Sequence, residues 1–187
     1  MKLLVAALEI ELEAFPDSIP GYDRLITRIG KLNAALELTR ALERGTYDEV
    51  LVLGTAGLID EHLPAGVYEI AGAVQHDVED LAGAVGHHMA MPHKVETGRD
   101  GVIIATGDLF VQDTARVDAI RGLGASLVDM ETYVYIWVCQ QYGVPIRVVK
   151  AVSDSAQDGA VLTWREQVVR CSHDLLDWFH NDTKQQP

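Results

Sequence analysis

The sequence predicts an α/β fold in a single domain, and three observations carry that reading. Short apolar runs alternate with helical patterns along the chain, the mark of a sheet covered by helices. The runs are rich in Val, Ile and Leu, as in strands buried on both faces. The 187 residues suffice for one sizeable core, and no repeat or low-complexity linker divides them. One domain is therefore expected over residues 1–181, followed by a polar, frayed tail over 182–187.

Strands are predicted at residues 3–8, 25–29, 49–53, 67–74, 102–105, 126–128 and 146–152. Helices are predicted at 9–15, 31–44, 114–121, 131–142 and 163–181. Pro16 ends the first helical pattern, and Gly143-Val144-Pro145 ends the fourth. In the second helix, Leu32, Ala35, Leu36, Thr39 and Leu42 form the stripe expected to pack on the sheet. Residues 81–98 hold three glycines, Pro92 and the histidines His87, His88 and His93, with no clear period; they read as loop with a short strand. Trp137, Trp164 and Trp178 fit helical packing faces.

Composition narrows the function classes. The formal net charge of −13 repels nucleic acid and anionic membrane surfaces. No run of eighteen or more apolar residues is present, so no membrane span is expected. The apolar start runs directly into Glu9, Glu11 and Glu13 and reads as a core strand, not a signal peptide. Cys139 and Cys171 fall in helical patterns and read as buried thiols of a reducing, cytoplasmic compartment.

Ligands of open α/β sheets bind at strand ends, which is where the polar residues of interest stand. Glu11 follows the first apolar run; it is either a first-turn glutamate complementing the helix dipole or a site carboxylate. Gly54-Thr55-Ala56-Gly57 follows the 49–53 run and is expected as a glycine-rich turn exposing backbone N–H groups. Val128-Asp129-Met130-Glu131 runs from a strand into a helix. Asp129 reads as a helix cap, while Glu131 reads as a first-turn charge or as an acceptor for a ribose diol. Lys150-Ala151-Val152-Ser153-Asp154 ends the last strand, with Asp154 either capping the next segment or poised as a general acid. His76-Asp77 could be a relay or a metal ligand with its orienter, but no spacing completes a metal site. Phe110, in Gly107-Asp108-Leu109-Phe110, reads first as a core aromatic. No context for a Ser or Cys nucleophile is present.

Six segments together resemble the 5′-methylthioadenosine/S-adenosylhomocysteine nucleosidases and, more broadly, the purine and uridine phosphorylase superfamily. They are Ala7-Leu8-Glu9-Ile10-Glu11, Ile29-Gly30-Lys31-Leu32-Asn33-Ala34-Ala35, Gly54-Thr55-Ala56-Gly57, Gly107-Asp108-Leu109-Phe110, Val128-Asp129-Met130-Glu131 and Lys150-Ala151-Val152-Ser153-Asp154, in the family's order. The resemblance implies a three-layer sandwich with a central twisted mixed sheet flanked by helices. It implies catalytic roles for Glu11, as base or orienter of the attacking water, and Asp154, as the acid at N7 of a departing purine. The expected substrate-binding residues are Thr55, Ala56, Gly57, Phe110, Val111, Asp129, Met130, Glu131 and Ser153. Phe110 would stack on the base and the Val111 backbone would read its edge. Glu131 and the backbone near Met130 would hold the ribose. The partner would be a small nucleoside, the assembly a homodimer, and no metal or other cofactor is called for. The family usually has Glu at the position of Asp129, Arg at that of Lys150 and Gly at that of Leu58, and more residues around 81–98.

Four functions fit this pattern: hydrolysis of a methylthioadenosine-type nucleoside, hydrolysis of a futalosine-type nucleoside, phosphorolysis, or nucleoside binding without catalysis. A phosphate dianion calls for Arg or Lys donors. The first loop offers Glu9, Glu11 and Glu13 instead, which suits water; Arg28 and Lys150 are the cations that could oppose this.

Overall fold

The computed structural model describes residues 1–109, 111, 114–152 and 163–185. Eight strands form one mixed sheet: β1 (Lys2–Ala6), β2 (Tyr22–Ile26), β3 (Glu49–Leu58), β4 (Val67–Gln75), β5 (Lys94–Glu96), β6 (Val102–Thr106), β7 (Leu127–Asp129) and β8 (Ile146–Val152). The helices are α1 (Lys31–Arg44), α2 (Thr114–Gly122), α3 (Thr132–Tyr142) and α4 (Trp164–Gln185). The strand path runs β2-β1-β3-β7-β6-β4-β5, and β8 pairs with both β3 and β4. Strands β3, β8, β4, β6 and β7 therefore close a ring through parallel β3–β8, β4–β6 and β6–β7 pairs and antiparallel β4–β8 and β3–β7 pairs.

The expected three layers are present, and side-chain alternation builds them. Leu3, Val5, Val50, Val52 and Val148 face α1 and α3, against Leu38, Leu42, Tyr133 and Ile136. Their neighbours Leu4, Ala6, Leu51, Leu53, Val149 and Ala151 face the other way, against Leu12, Phe15, Cys171, Leu175 and Phe179. A third cluster, with Val74, Ala105 and Ile120, seats α2.

Several local expectations change. The helix expected over 9–15 is a single 3-10 turn, Glu9–Leu12, because the Glu11 side chain folds back onto the Ala7 and Leu8 amides. Residues 54–57 are not a turn but the second half of β3: Gly54, Thr55 and Ala56 still pair with β8, and from Gly57 the strand pairs with β7. On α1 the buried stripe is Ala34, Leu38 and Leu42, while Leu32 and Leu36 are exposed, so the face is rotated from the one expected. Between β2 and α1, Arg28 adopts a left-handed φ of 69°, a conformation that costs a non-glycine residue about 1–3 kcal/mol. Within 81–98 the short strand is β5, antiparallel to β4. Helix α4 runs past Asn181, and Asp182 accepts from Arg147 Nη1 at 2.7 Å. Trp178 stacks on the Arg147 guanidinium, whereas Trp164, read as a packing residue, is exposed. Both cysteines are free and buried; burial pushes the Cys139 thiol up to about 12 and that of Cys171 up to about 11.

Candidate active site

Four titratable side chains converge near the ends of β1, β7 and β8 and the second half of β3: Glu11, Asp129, Glu131 and Lys150, each buried. Asp129 and Lys150 hang on β7 and β8, while Glu11 sits in the turn after β1 and Glu131 at the start of α3.

Glu11 stands in the turn directly after β1. Its Oε2 accepts from the Ala7 and Leu8 amides at 3.1 and 3.0 Å, and its Oε1 accepts from Thr55 N at 2.7 Å and Thr55 Oγ1 at 2.9 Å. All four bonds are donated to the side chain, which is the pattern a carboxylate requires. Gly54 makes the approach possible, since a Cβ there would lie 3.0 Å from Glu11 Oε1 and 3.1 Å from Lys150 Nζ.

Lys150 points from β8 into this acidic pocket and is almost wholly enclosed. Its Nζ donates to Asp129 Oδ2 at 2.9 Å. Burial disfavours its charge, but Asp129, Glu11 and Glu131 outweigh burial and raise its pKa. Asp129 has further duties. Thr106 Oγ1 donates to its Oδ1 at 2.7 Å, and the Thr132 hydroxyl donates to its Oδ2 at 2.5 Å. The Thr132 amide, the first of α3, donates to the same carboxylate, so Asp129, two residues before the Glu131 N-cap, also binds the start of α3.

Glu131 opens α3, its carbonyl accepting from Val134 and Tyr135 amides. Its Oε1 accepts from Gly30 N at 2.8 Å. The left-handed Arg28 aims that amide; the Thr27 hydroxyl just before it bonds Tyr135 OH at 2.5 Å, joining the loop to α3. Burial, assisted by the negative charge of Asp129, pushes the Glu131 carboxyl up to about 8; Lys150 and the Gly30 amide pull it down without offsetting burial. At neutral pH this carboxyl holds its proton, so it can donate to one hydroxyl and accept from another.

That shift has a consequence for stability. Between the ordinary value of 4.5 and about 8, the folded protein keeps a proton that the unfolded chain has released. The contribution of this group is fully present below 4.5 and is lost as pH rises toward about 8. Glu131→Gln is expected to flatten that part of the profile, measured as urea midpoints at a series of pH values. An unchanged slope would place the titrating proton elsewhere.

The structure thus brings Glu11, Thr55, Asp129 and Glu131 together, with Ala56 and Gly57 continuing β3 and Met130 half-buried between Asp129 and Glu131 in the chain. The Val111 side chain packs on the α2 cluster. Ser153, Asp154 and Phe110 lie outside the described residues. Gly30, Thr106 and Lys150 belong to the site but were not among its expected binding or catalytic residues. Lys150 carried a signal, a cation near the end of an apolar strand at the wholly buried face. Arg28 is exposed and pairs with Glu37 at 3.3 Å, away from the pocket. Among the described residues no group of three His, Cys, Asp or Glu is arranged to hold a metal ion. No helix among them is long and apolar enough to cross a membrane. His87 and His93 instead stack on each other in an exposed loop, with ring centroids 4.1 Å apart.

Comparison with known proteins gives a consistent picture. A family model described as the phosphorylase superfamily matches residues 20–179. A 5′-methylthioadenosine/S-adenosylhomocysteine nucleosidase of Bacillus cytotoxicus is 34% identical over 68% of this chain and 65% of its own length. The chain thus spans 65% of the length of the first curated relatives it matches. The Helicobacter pylori enzyme of the same name, solved with butyl-thio-DADMe-Immucillin-A, superposes with a TM-score of 0.81 at 21% identity, over 98% of this chain and 97% of that one. Futalosine hydrolase of the same organism superposes with a TM-score of 0.78 at 21% identity, over 96% and 97% of the two chains.

Proposed function

Since the chain belongs to the phosphorylase superfamily, we propose that it is a nucleosidase, hydrolysing the N-ribosidic bond of a 5′-substituted purine nucleoside of the methylthioadenosine or adenosylhomocysteine type. The observation that carries this reading is the clasp of Glu11 on Thr55. An anionic second substrate would need the Thr55 amide and hydroxyl, and both are taken up by a carboxylate. The nearest buried cation, Lys150, is paired with Asp129. A phosphate dianion entering here would meet negative charge at hydrogen-bond range, which disfavours it strongly in a buried site. Neutral water meets no such barrier.

The chemistry follows from these groups. Breaking the bond builds positive charge on the sugar and negative charge on the base. Glu131 holds the ribose hydroxyls. The Thr55 hydroxyl can turn from Glu11 to a water molecule, leaving Glu11 Oε1 to take that water's proton as the carbon–oxygen bond forms. Asp154 supplies the proton to N7, while Phe110, Ser153 and the Val111 backbone hold the base. The names of the relatives supply the 5′ group of the proposed substrate. The assembly proposed is a homodimer, in keeping with the exposed apolar Ile29, Leu32 and Leu36 on and beside α1. Two buried free thiols suit a reducing, cytoplasmic setting.

The test is to run a nucleoside panel with and without millimolar phosphate and to weigh the sugar product by mass spectrometry. Free ribose derivative, formed at a rate independent of phosphate, is expected. A ribose 1-phosphate, or strict dependence on phosphate, would move the chain among the phosphorylases. Turnover of futalosine alone would change the 5′ group.

A further inference from the structure

His76-Asp77 has no part in the chemistry above, and its geometry excludes a relay. The Asp77 carboxylate does not bond the imidazole. Lys31 Nζ donates to Asp77 Oδ1 at 2.7 Å and to Gln75 Oε1 at 3.0 Å, and the Asp108 amide donates to Asp77 Oδ2 at 2.8 Å. The Lys31 amide in turn donates to Asp108 Oδ1 at 2.9 Å. These bonds close a ring joining the start of α1, the residues after β4 and the loop after β6. The ion pair is well enclosed, with 18% and 8% of the Lys31 and Asp77 side chains exposed.

Packing holds the ring tightly. A Cβ on Gly107 would lie 2.5 Å from His76 Nε2 and 2.9 Å from Asp77 Cγ, and one on Gly30 would lie 3.1 Å from Asp108 Oδ1. His76 is buried, burial lowers its pKa, and its ring nitrogens have no partner among the described residues. The ring is therefore a neutral spacer wedged against the Gly107 backbone.

The ring is also tied to Glu131 through adjacent peptides of the α1 start. The Gly30 amide holds Glu131, and the next amide, that of Lys31, holds Asp108. Asp108 stands two residues before Phe110 and three before Val111. We propose that Lys31, Asp77 and Asp108 form a positioning latch that fixes Asp108, where the chain leaves β6 toward Val111, relative to the sugar-holding Glu131 carboxyl, so that affinity for the purine depends on side chains that touch neither base nor sugar. This rests on the nucleosidase reading for the identity of the base.

The experiment compares wild type with Lys31→Met, Asp77→Asn and Lys31→Arg. It measures KM and kcat on methylthioadenosine, binding of free adenine by calorimetry, and Tm. Loss of an enclosed charge-assisted hydrogen bond is expected to weaken adenine binding and raise KM by about tenfold in Lys31→Met and Asp77→Asn. The kcat at saturation stays within about threefold, and Lys31→Arg recovers most of the loss. Unchanged adenine affinity and KM would overturn the latch. So would a fall in Tm and kcat with adenine affinity intact, which marks a structural brace only. Adenine binding needs no turnover, so a wild-type protein that binds adenine but cleaves no nucleoside would reject the catalytic reading while the latch is still measured. Absence of adenine binding by the wild type would overturn both.

Discussion

Glu11→Gln is expected to lower kcat by about three powers of ten, the range of a lost general base, while adenine still binds. The reason lies in the donors around the side chain. Four N–H and O–H groups point at it from Ala7, Leu8 and both polar atoms of Thr55. A glutamine keeps one acceptor oxygen but turns an NH2 group toward two of those donors. It cannot take a proton from water, and the facing donors cost about 1–3 kcal/mol of stability as well. Circular dichroism and adenine calorimetry separate these effects, because a variant that folds and binds adenine but does not turn over has lost chemistry alone. A Glu11→Gln protein retaining more than about a tenth of wild-type kcat, a barrier change under about 1.4 kcal/mol, would remove Glu11 from the base role. The remaining reading would then be a turn-forming residue that clasps β1 to β3.

How much of this was legible in the sequence depended on whether a residue's role was local. β8 and α1 were readable to the residue because an apolar run bounded by Pro145, and a helical pattern bounded by Gly30 and Gly45, contain their own stop signals. Glu11, Thr55, Asp129 and Glu131 were readable as polar residues at the ends of apolar runs. What failed was long-range. Glycines at 54 and 57 looked like a turn, yet β3 continues through them, because Gly54 is needed for clearance from Glu11 and Lys150 rather than for a reversal. The buried stripe of α1 was misjudged because Leu32 and Leu36 outrank Ala34 in hydrophobicity; packing against α3 selects Ala34 and Leu38 instead, leaving the leucines outside. Asp129 was read as the cap of α3, a place Glu131 takes; its pairing with Lys150 was not readable, since that pairing exists only once β7 and β8 both lie against β3. The carboxyl of Glu131 stays protonated at neutral pH because of burial, which no spacing rule encodes.

Lys150→Met is expected to be the most destabilising single change in the site. The lysine is the cation among three buried carboxyl groups, and all three raise its pKa against the opposing effect of burial. Methionine fills similar volume, so the change isolates charge more than packing. Removing one partner of a buried pair costs about 3–5 kcal/mol because the other charge is left uncompensated, and for a chain of this size that lowers Tm by about 10 °C. The loss has a pH signature: Lys150 lowers the Glu131 pKa, so its removal costs more as pH rises toward and past about 8. Lys150→Met/Asp129→Asn removes both halves of the pair and is expected to recover part of the stability, since replacing both partners by neutral groups costs less than orphaning one. Recovery is incomplete because the Thr106 and Thr132 hydroxyls, which donate to Asp129, meet an amide in place of one carboxylate oxygen. Urea denaturation of the four proteins in this cycle, at about pH 5 and about pH 8, gives the coupling directly. A single variant as stable as wild type, or a double variant no more stable than Lys150→Met, would show that Lys150 does not hold the carboxylates together.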